Sequence, residues 1–213
     1  MEDYTPDMDQ MLFYLPLAGS TFKKIYYDEN MGRAVSKFVP AENLVVPYDT
    51  SDLDTCPNIT QVVRMDLNDL RKKQLAGIYL DIDVIPSQSE VTSIRGELDR
   101  IEGFEPNQID YDCTLLECHV DLDLEGYEEL DDEGEPTGVK VPYIVTISQD
   151  NGQILSIRRN YDEEDEKNKK ISYFVHYKFL PGFGFYGLGL IHTIGGLARS
   201  ATSSLRQLID AGT

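Results

Sequence analysis

The run from Lys178 to Thr213, KFLPGFGFYGLGLIHTIGGLARSATSSLRQLIDAGT, constrains this chain more than any other stretch. A strand-like segment closes at Leu180, Pro181-Gly182 breaks it, and a turn of glycines and aromatics follows. A helix is then predicted from about Leu188 to Ala211. Its apolar residues are Leu190, Ile191, Ile194, Leu197, Ala198, Ala201, Leu205, Leu208 and Ile209. They recur at the three- and four-residue spacing that places them on one face. Gly212 supplies a stop signal. At ~1.5 Å per residue such a helix is roughly 35 Å long. So long a stripe is expected to pack back on the chain or on another subunit.

Two sharper readings of this run meet obstacles in its own residues. Gly182, Gly184 and Gly187 spell G-x-G-x-x-G between a strand and a helix. The dinucleotide fingerprint also needs small neighbours, a returning parallel strand and an acidic residue at its end. Here the intervening positions are Phe183, Phe185 and Tyr186. Phe179 to Ala198 carries no formal charge, which invites a membrane span. But Pro181 and repeated glycines interrupt it, and Arg199 and Arg206 follow on the same helix. A span needs ~20 helix-compatible apolar residues.

The glycine pair Gly195-Gly196 sits mid-helix, where each glycine costs ~1 kcal/mol relative to alanine. Glycine is kept at such a place where a backbone approaches closely or the helix bends. Ala198, Ser200, Ala201, Ser203 and Ser204 are also small, and Leu205, Leu208 and Ile209 restore bulk. We expect Ile194, Leu197, Ala201, Leu205 and Leu208 to form a subunit interface. The alternative is that the stripe covers a sheet of the same chain.

The same run closely resembles the portal, or head-to-tail connector, protein of short-tailed, podovirus-type bacteriophages. Two further blocks agree: FYLPLAGSTFKKIYYDENMGRAVSKFVPAENLVVPY, from Phe13 to Tyr48, and TQVVRMDLNDLRKKQLAGIY, from Thr60 to Tyr79. Portals of this family are considerably longer, so the resemblance implies one segment of a portal. It implies a wing-like α+β domain over 1–187 and a helix leading towards the stem over 188–213. It further implies a ring-shaped homo-oligomer, usually of twelve subunits, through which double-stranded DNA enters and leaves the capsid without sequence-specific binding. The partners so implied are the terminase packaging motor, a tail adaptor and capsid proteins. The place implied is the virion, assembled in the host bacterial cytoplasm. The resemblance implies no active site and no cofactor.

Thirty-eight acidic residues against 19 basic ones leave a net charge of −19. That argues against a general nucleic-acid binder, which shows a basic face. An acidic wall would let DNA slide past with little adhesion; acidic loops also simply keep a chain soluble. Three cysteines, Cys56, Cys113 and Cys118, and an acidic start without an apolar h-region fit a reduced environment.

The remaining pattern predicts an α+β chain: an N-terminal hairpin, helices, an antiparallel β meander and the long terminal helix. Residues 1–10 read as frayed, and Met11 to Leu15 as a short strand before Pro16 and Gly19. Thr21–Tyr27 and Arg33–Val39 read as a hairpin around Asp28 to Gly32. Asn43–Val46 is a short strand, and Asp49–Pro57 a loop. Ile59–Met65 is β-rich, and Asp66 caps a helix through about Tyr79. Ser87-Gln88-Ser89-Glu90 is a capping box for a helix to about Glu102, with Val91, Ile94, Leu98 and Ile101 in register. From Tyr111 the period becomes two. Leu116, Cys118, Val120 and Leu122 alternate with Glu117, His119, Asp121 and Asp123, and Val139, Val141, Tyr143, Val145 and Ile147 follow. Asn151-Gly152 turns into Ile154–Arg159. Ile171, Tyr173, Val175, Tyr177 and Phe179 line a last strand. Residues 111–180 are thus expected to form one antiparallel sheet with one wet face.

Candidate chemistry is thin. Asp121, Asp123, Glu125, Gly126 and Asp132 imitate an EF-hand loop, but Glu128 holds the hydrophobic position, the preceding segment alternates like a strand, and Pro136 blocks an exit helix. This favours a solvated acidic loop, with weak divalent binding as the alternative. Cys113, Cys118 and His119 are zinc-ligand types, yet neighbours on a strand face opposite ways and no second pair stands at finger spacing. Cys118 reads instead as a small core residue. His176 and His192 read as surface or packing histidines, and Lys167, Lys169 and Lys170 as a solvated patch beside acids. The two competing functional classes are a carboxylate-based hydrolase and a membrane-inserting protein using the glycine-rich helix.

Overall fold

The computed structural model describes residues 4–28, 32–84, 100, 103, 112–129, 135–162, 164–165 and 167–212. The helix predicted from Ser87 to Glu102, apart from Arg100, and Asp132 of the acidic loop fall outside them. The chain is α+β and forms two compact units. One comprises Met1–Ile59 and Ile171–Thr213, the other Thr60–Lys170.

In the first unit, helix α1 (Tyr4–Ala18) precedes strands β1 (Ser20–Asp28) and β2 (Arg33–Pro40). These pair antiparallel, with Phe22 opposite Val39 and Asp28 opposite Arg33, as the alternation predicts. The frayed start, over its described residues 4–10, and the strand at Met11–Leu15 are corrected: both lie in α1. A short apolar run does not distinguish helix from strand. Here the tertiary partners decide. Met11 is buried, Asp7 Oδ1 accepts the Phe38 N–H at 2.8 Å, and Asp7 pairs with the buried Lys23 at 3.4 Å. The Lys23 ammonium also sits 4.3 Å over the Tyr4 ring. Burying the charge is tolerable because an anion and an aromatic face receive it. Pro16 lies inside α1, which ends two residues later as Gly19 turns away at φ 86.

A short strand β3 (Leu44–Val45) follows. The edge of β1 is closed by β8 (Phe174–Lys178), which puts His176 beside Phe22 in the order β2-β1-β8. Phe22, Val39, Leu44, Leu53, Cys56, Ile59, Phe174 and Phe185 form the core of this unit.

In the second unit β4 (Asn58–Asp66, which starts in the first) leads into helix α2 (Leu67–Leu75). The Asp66 carboxylate caps it by accepting the Asn68 N–H at 3.1 Å. The helix stops four residues before the predicted Tyr79. Only Leu70 is buried in it, packed on Cys113, Leu115 and Leu155. Strands β5 (Asp112–Leu122), β6 (Val141–Ser148) and β7 (Ile154–Arg159) lie beside β4 in the order β4-β5-β6-β7. Gly152, at φ 67, makes the predicted turn between β6 and β7.

Two expectations for the meander are overturned. Its last strand does not join it, because β8 pairs with β1 instead. And the phase is inverted. Cys113, Leu115, Glu117 and His119 are buried, whereas Leu116, Cys118 and Val120 on the opposite face are half-buried. In β6 Val141 and Tyr143 of the expected face are buried together with Ile144, and the inversion is confined to the second half, where Thr146 and Ser148 are buried while Val145 and Ile147 are half-buried. Alternation says which residues share a face, not which face is covered. The polar residues enter the covered face because they satisfy one another: His119 Nε2 and Glu117 Oε1 are 2.9 Å apart, with the Arg158 guanidinium 3.9 Å from the other carboxylate oxygen.

Candidate functional site

Helix α3 (Leu190–Ala211) carries an apolar stripe and has no buried residue. Its root is built from backbone. Gly19, Gly187 and Gly189 come so close together that a Cβ on any of them would overlap main-chain atoms of the facing segment. The Phe179 N–H donates to the Gly19 carbonyl at 3.0 Å, and Leu180 and Leu188 exchange hydrogen bonds across the loop between them. Thus the G-x-G-x-x-G run offers no open cradle at two of its glycines. Gly182 and Gly187 are packed against main chain, and only Gly184 faces open space.

Side chains lock the same joint. Phe185 stacks on Phe22 at 5.9 Å and meets His176 at 4.7 Å, while His176 stacks on Phe22 at 4.5 Å. Ser20 Oγ accepts the Gly187 N–H at 2.7 Å and lies 3.1 Å from His176 Nε2. The hydroxyl thus ties the Gly187 backbone and the His176 ring together. Burial, helped by the Lys178 cation, pushes the His176 imidazole down to about 4. His176 is therefore a packing histidine, but on the covered side of its strand rather than the wet side. His192 caps the helix, its Nδ1 accepting the Gly189 N–H at 3.1 Å.

Beyond this root no residue of α3 is buried. Ile194, Leu197, Ala201, Leu205 and Leu208 all lie on the exposed helix, and Leu197 and Leu208 are 73% and 70% accessible. The stripe keeps one face over six turns, as the sequence spacing requires. His192, Arg199 and Arg206 recur every seven residues on the opposite side. No helix among the described residues is long and apolar enough to cross a membrane.

Other candidates are engaged locally. Cys118 lies on the opposite face from Cys113 and His119, so the three do not converge; Cys113 is the core cysteine, fully buried, while Cys118 is only partly covered. Among the described residues no group of three or more His, Cys, Asp or Glu is arranged to hold a metal ion. The EF-hand-like run begins inside β5 and turns at Gly126, whose N–H donates to the Glu128 carboxylate at 2.8 Å. Sequence reasoning missed the Glu117–His119 pair because it read both as solvent-facing. Beside it, Tyr79 is pushed up to about 12, by burial first and then by Glu117. In a cleft of about 530 Å³ in the second unit, Arg71 binds Asp81 and the Gln74 amide donates to the Leu80 and Ile82 carbonyls.

A scan against protein-family models and a search of curated proteins find no match to this chain.

Proposed function

We propose that this chain is a segment of a phage-portal-type ring subunit, a structural protein whose copies surround a channel for double-stranded DNA. The observation that carries the reading is α3, an amphipathic helix with a continuous apolar stripe and no buried residue, rooted in a rigid joint. Burying apolar area is favourable by ~25 cal/mol per Å², so a stripe of this length favours association with another surface. In a ring, one face of each subunit meets a different face of the next. The resemblance of the three sequence blocks to portals supplies the assembly class, with the wing over 1–187 and the stem-leading helix over 188–213. In that reading Ile194, Leu197, Ala201, Leu205 and Leu208 are subunit contacts. A net charge of −19 suits a wall past which DNA slides, since non-specific binding rests on neutralising phosphates. The packaging motor, tail adaptor and capsid proteins are the partners that go with this class.

Sedimentation velocity over a concentration series, with negative-stain microscopy of the heaviest species, tests the reading. Detergent-independent association into closed rings is expected. A strict monomer at all concentrations, or a species soluble only in detergent, would overturn it. A gel-shift titration at low salt with random duplex should show no submicromolar binding.

A further inference from the structure

Asn151-Gly152, in the turn between β6 and β7, is the only Asn-Gly pair in the sequence. Asparagine is a chemically labile residue. Before glycine it is exposed to one particular reaction, because no side chain on Gly152 shields that residue's nitrogen. The Gly152 backbone nitrogen attacks Cγ of Asn151; the N–Cγ bond forms and the Cγ–Nδ2 bond breaks. The proton of the Gly152 nitrogen leaves with Nδ2 as ammonia, and a succinimide ring remains. Water then opens the ring at either of its carbonyls, which leaves aspartate or isoaspartate at position 151. Attack requires the nitrogen and Cγ to meet aligned at about 3–3.5 Å.

The folded turn engages both reacting groups elsewhere. The Gly152 N–H donates to the Ser148 carbonyl at 2.9 Å. The Asn151 side chain is held forward on Gln153: Oδ1 accepts the Gln153 N–H at 3.1 Å, and Nδ2 donates to Gln153 Oε1 at 2.8 Å. Such an Asx turn fixes the amide on the residue after the glycine. Gly152 itself sits at φ 67, a conformation glycine adopts without strain. The turn is closed in its turn by the Ser148 N–H on the Gln153 carbonyl at 2.9 Å, and tied to β5 by the Gln149 N–H on the Thr114 carbonyl at 3.0 Å. These bonds must loosen before the nitrogen is free to attack. The place allows it, since Gly152 and Gln153 are exposed and β7 is the last strand of its sheet. Exposed hydrogen bonds at a sheet margin open locally at a fraction of the cost of global unfolding.

We propose that Asn151 is a site of spontaneous deamidation gated by the β6–β7 turn: the closed turn withholds the Gly152 nitrogen, and the reaction runs from the locally opened turn. The product reaches the core. Isoaspartate routes the main chain through the former side-chain carbon and adds an atom between β6 and β7. Leu155, just past the turn, is fully buried with Leu70, Cys113 and Leu115, so a lengthened turn works against the register that places it there.

Peptide mapping by mass spectrometry, which resolves the amide from both acid products, tests the gate. The whole chain is incubated at neutral pH, folded and unfolded in guanidinium chloride. Conversion at position 151 at least tenfold slower in the folded chain is expected. Equal rates, or no conversion in either state, would overturn the proposal. In a second arm, guanidinium is raised only through concentrations below the unfolding transition. A folded-state rate that stays nearly flat there is expected for a local opening. A rate that climbs in step with the unfolded fraction would show that only global unfolding exposes the pair, and the turn would not be the gate. In a third, Gln153→Ala frees the Asn151 amide at an exposed position. It is expected to speed folded-state conversion at least threefold with an unchanged melting temperature. An unchanged rate would overturn the part given to the turn.

Discussion

The loop at 179–189 and the helix that follows it are neighbours in sequence and opposites in burial. Both are rich in glycine and large apolar residues, and neither carries a carboxylate until Asp210. In the loop, Phe185 is 7% accessible between Phe22 and His176, and the glycines interlock with Gly19. In the helix, Ile191 is 63% accessible and Gly195 and Gly196 face open space. The loop's apolar content is buried within the chain, while the helix's stays exposed. Composition therefore does not separate buried from exposed apolar residues. What separates them is whether the backbone around a residue has docked.

The largest expected effect lies on the docked side. Phe22 is fully buried and stacks on both His176 and Phe185. Phe22→Ala should cost ~3–5 kcal/mol in denaturant unfolding, the usual loss for a buried aromatic. A loss under ~1 kcal/mol would mean that the loop is not docked on β1 in solution.

The joint itself comes next. Gly189 has an extended backbone that alanine adopts freely, so the obstacle to a Cβ is steric: the Leu17 carbonyl and the Gly19 backbone nitrogen facing it. Gly189→Ala should cost ~1–3 kcal/mol by overpacking. Gly184→Ala, in open space, should stay within about 0.5 kcal/mol of wild type. Equal effects of the two would show that the close approach of the glycines is absent.

A smaller effect is set by pH. The His176 imidazole is pushed from 6.5 down to about 4 on folding, so the unfolded chain binds its proton first. The neutral histidine's contribution is complete above pH ~6.5 and is lost as pH falls from there towards ~4. Because the ring is only half-buried, ~1–2 kcal/mol is the expected size after discounting for solvent. His176→Gln keeps a hydrogen-bonding side chain beside Ser20 and removes the titration. Unfolding midpoints measured from pH 7 to 4 should fall faster in wild type than in the variant. Parallel curves would remove His176 as the cause, since carboxylates titrate alike in both.

How much of this was legible in the sequence follows from the same contrast. The β1–β2 hairpin, the Asp66 cap, the Asn151-Gly152 turn and the stripe of α3 are local patterns, and each is present. What failed depended on distant partners. α1 became a helix because Met11, Asp7 and Tyr4 found the sheet at Phe38 and Lys23. β8 left the meander for the free edge of β1. The covered face of β5 was misjudged because Glu117 and His119 satisfy each other and enter it together. The glycines of the 182–189 loop were visible, but their partner Gly19 lies at the other end of the chain, and no local pattern names it.

The smallest expected effect is the most informative about α3. Leu205 and Leu208 are 61% and 70% accessible, one turn apart on the stripe, and neither sits in the core of the first unit. Changing both to Asp removes little burial, so unfolding stability should stay within about 0.5 kcal/mol of wild type. Two carboxylates at exposed helix positions lower helix propensity slightly relative to leucine, by a few tenths of a kcal/mol each. Association between copies should fall far more, because each charge would have to be desolvated without a partner at the contact. The pair of measurements decides the role of the stripe. A variant with wild-type melting but no assembly makes α3 a contact between copies. A variant that loses several kcal/mol and melts early makes the stripe part of its own chain's core, whatever its exposure here.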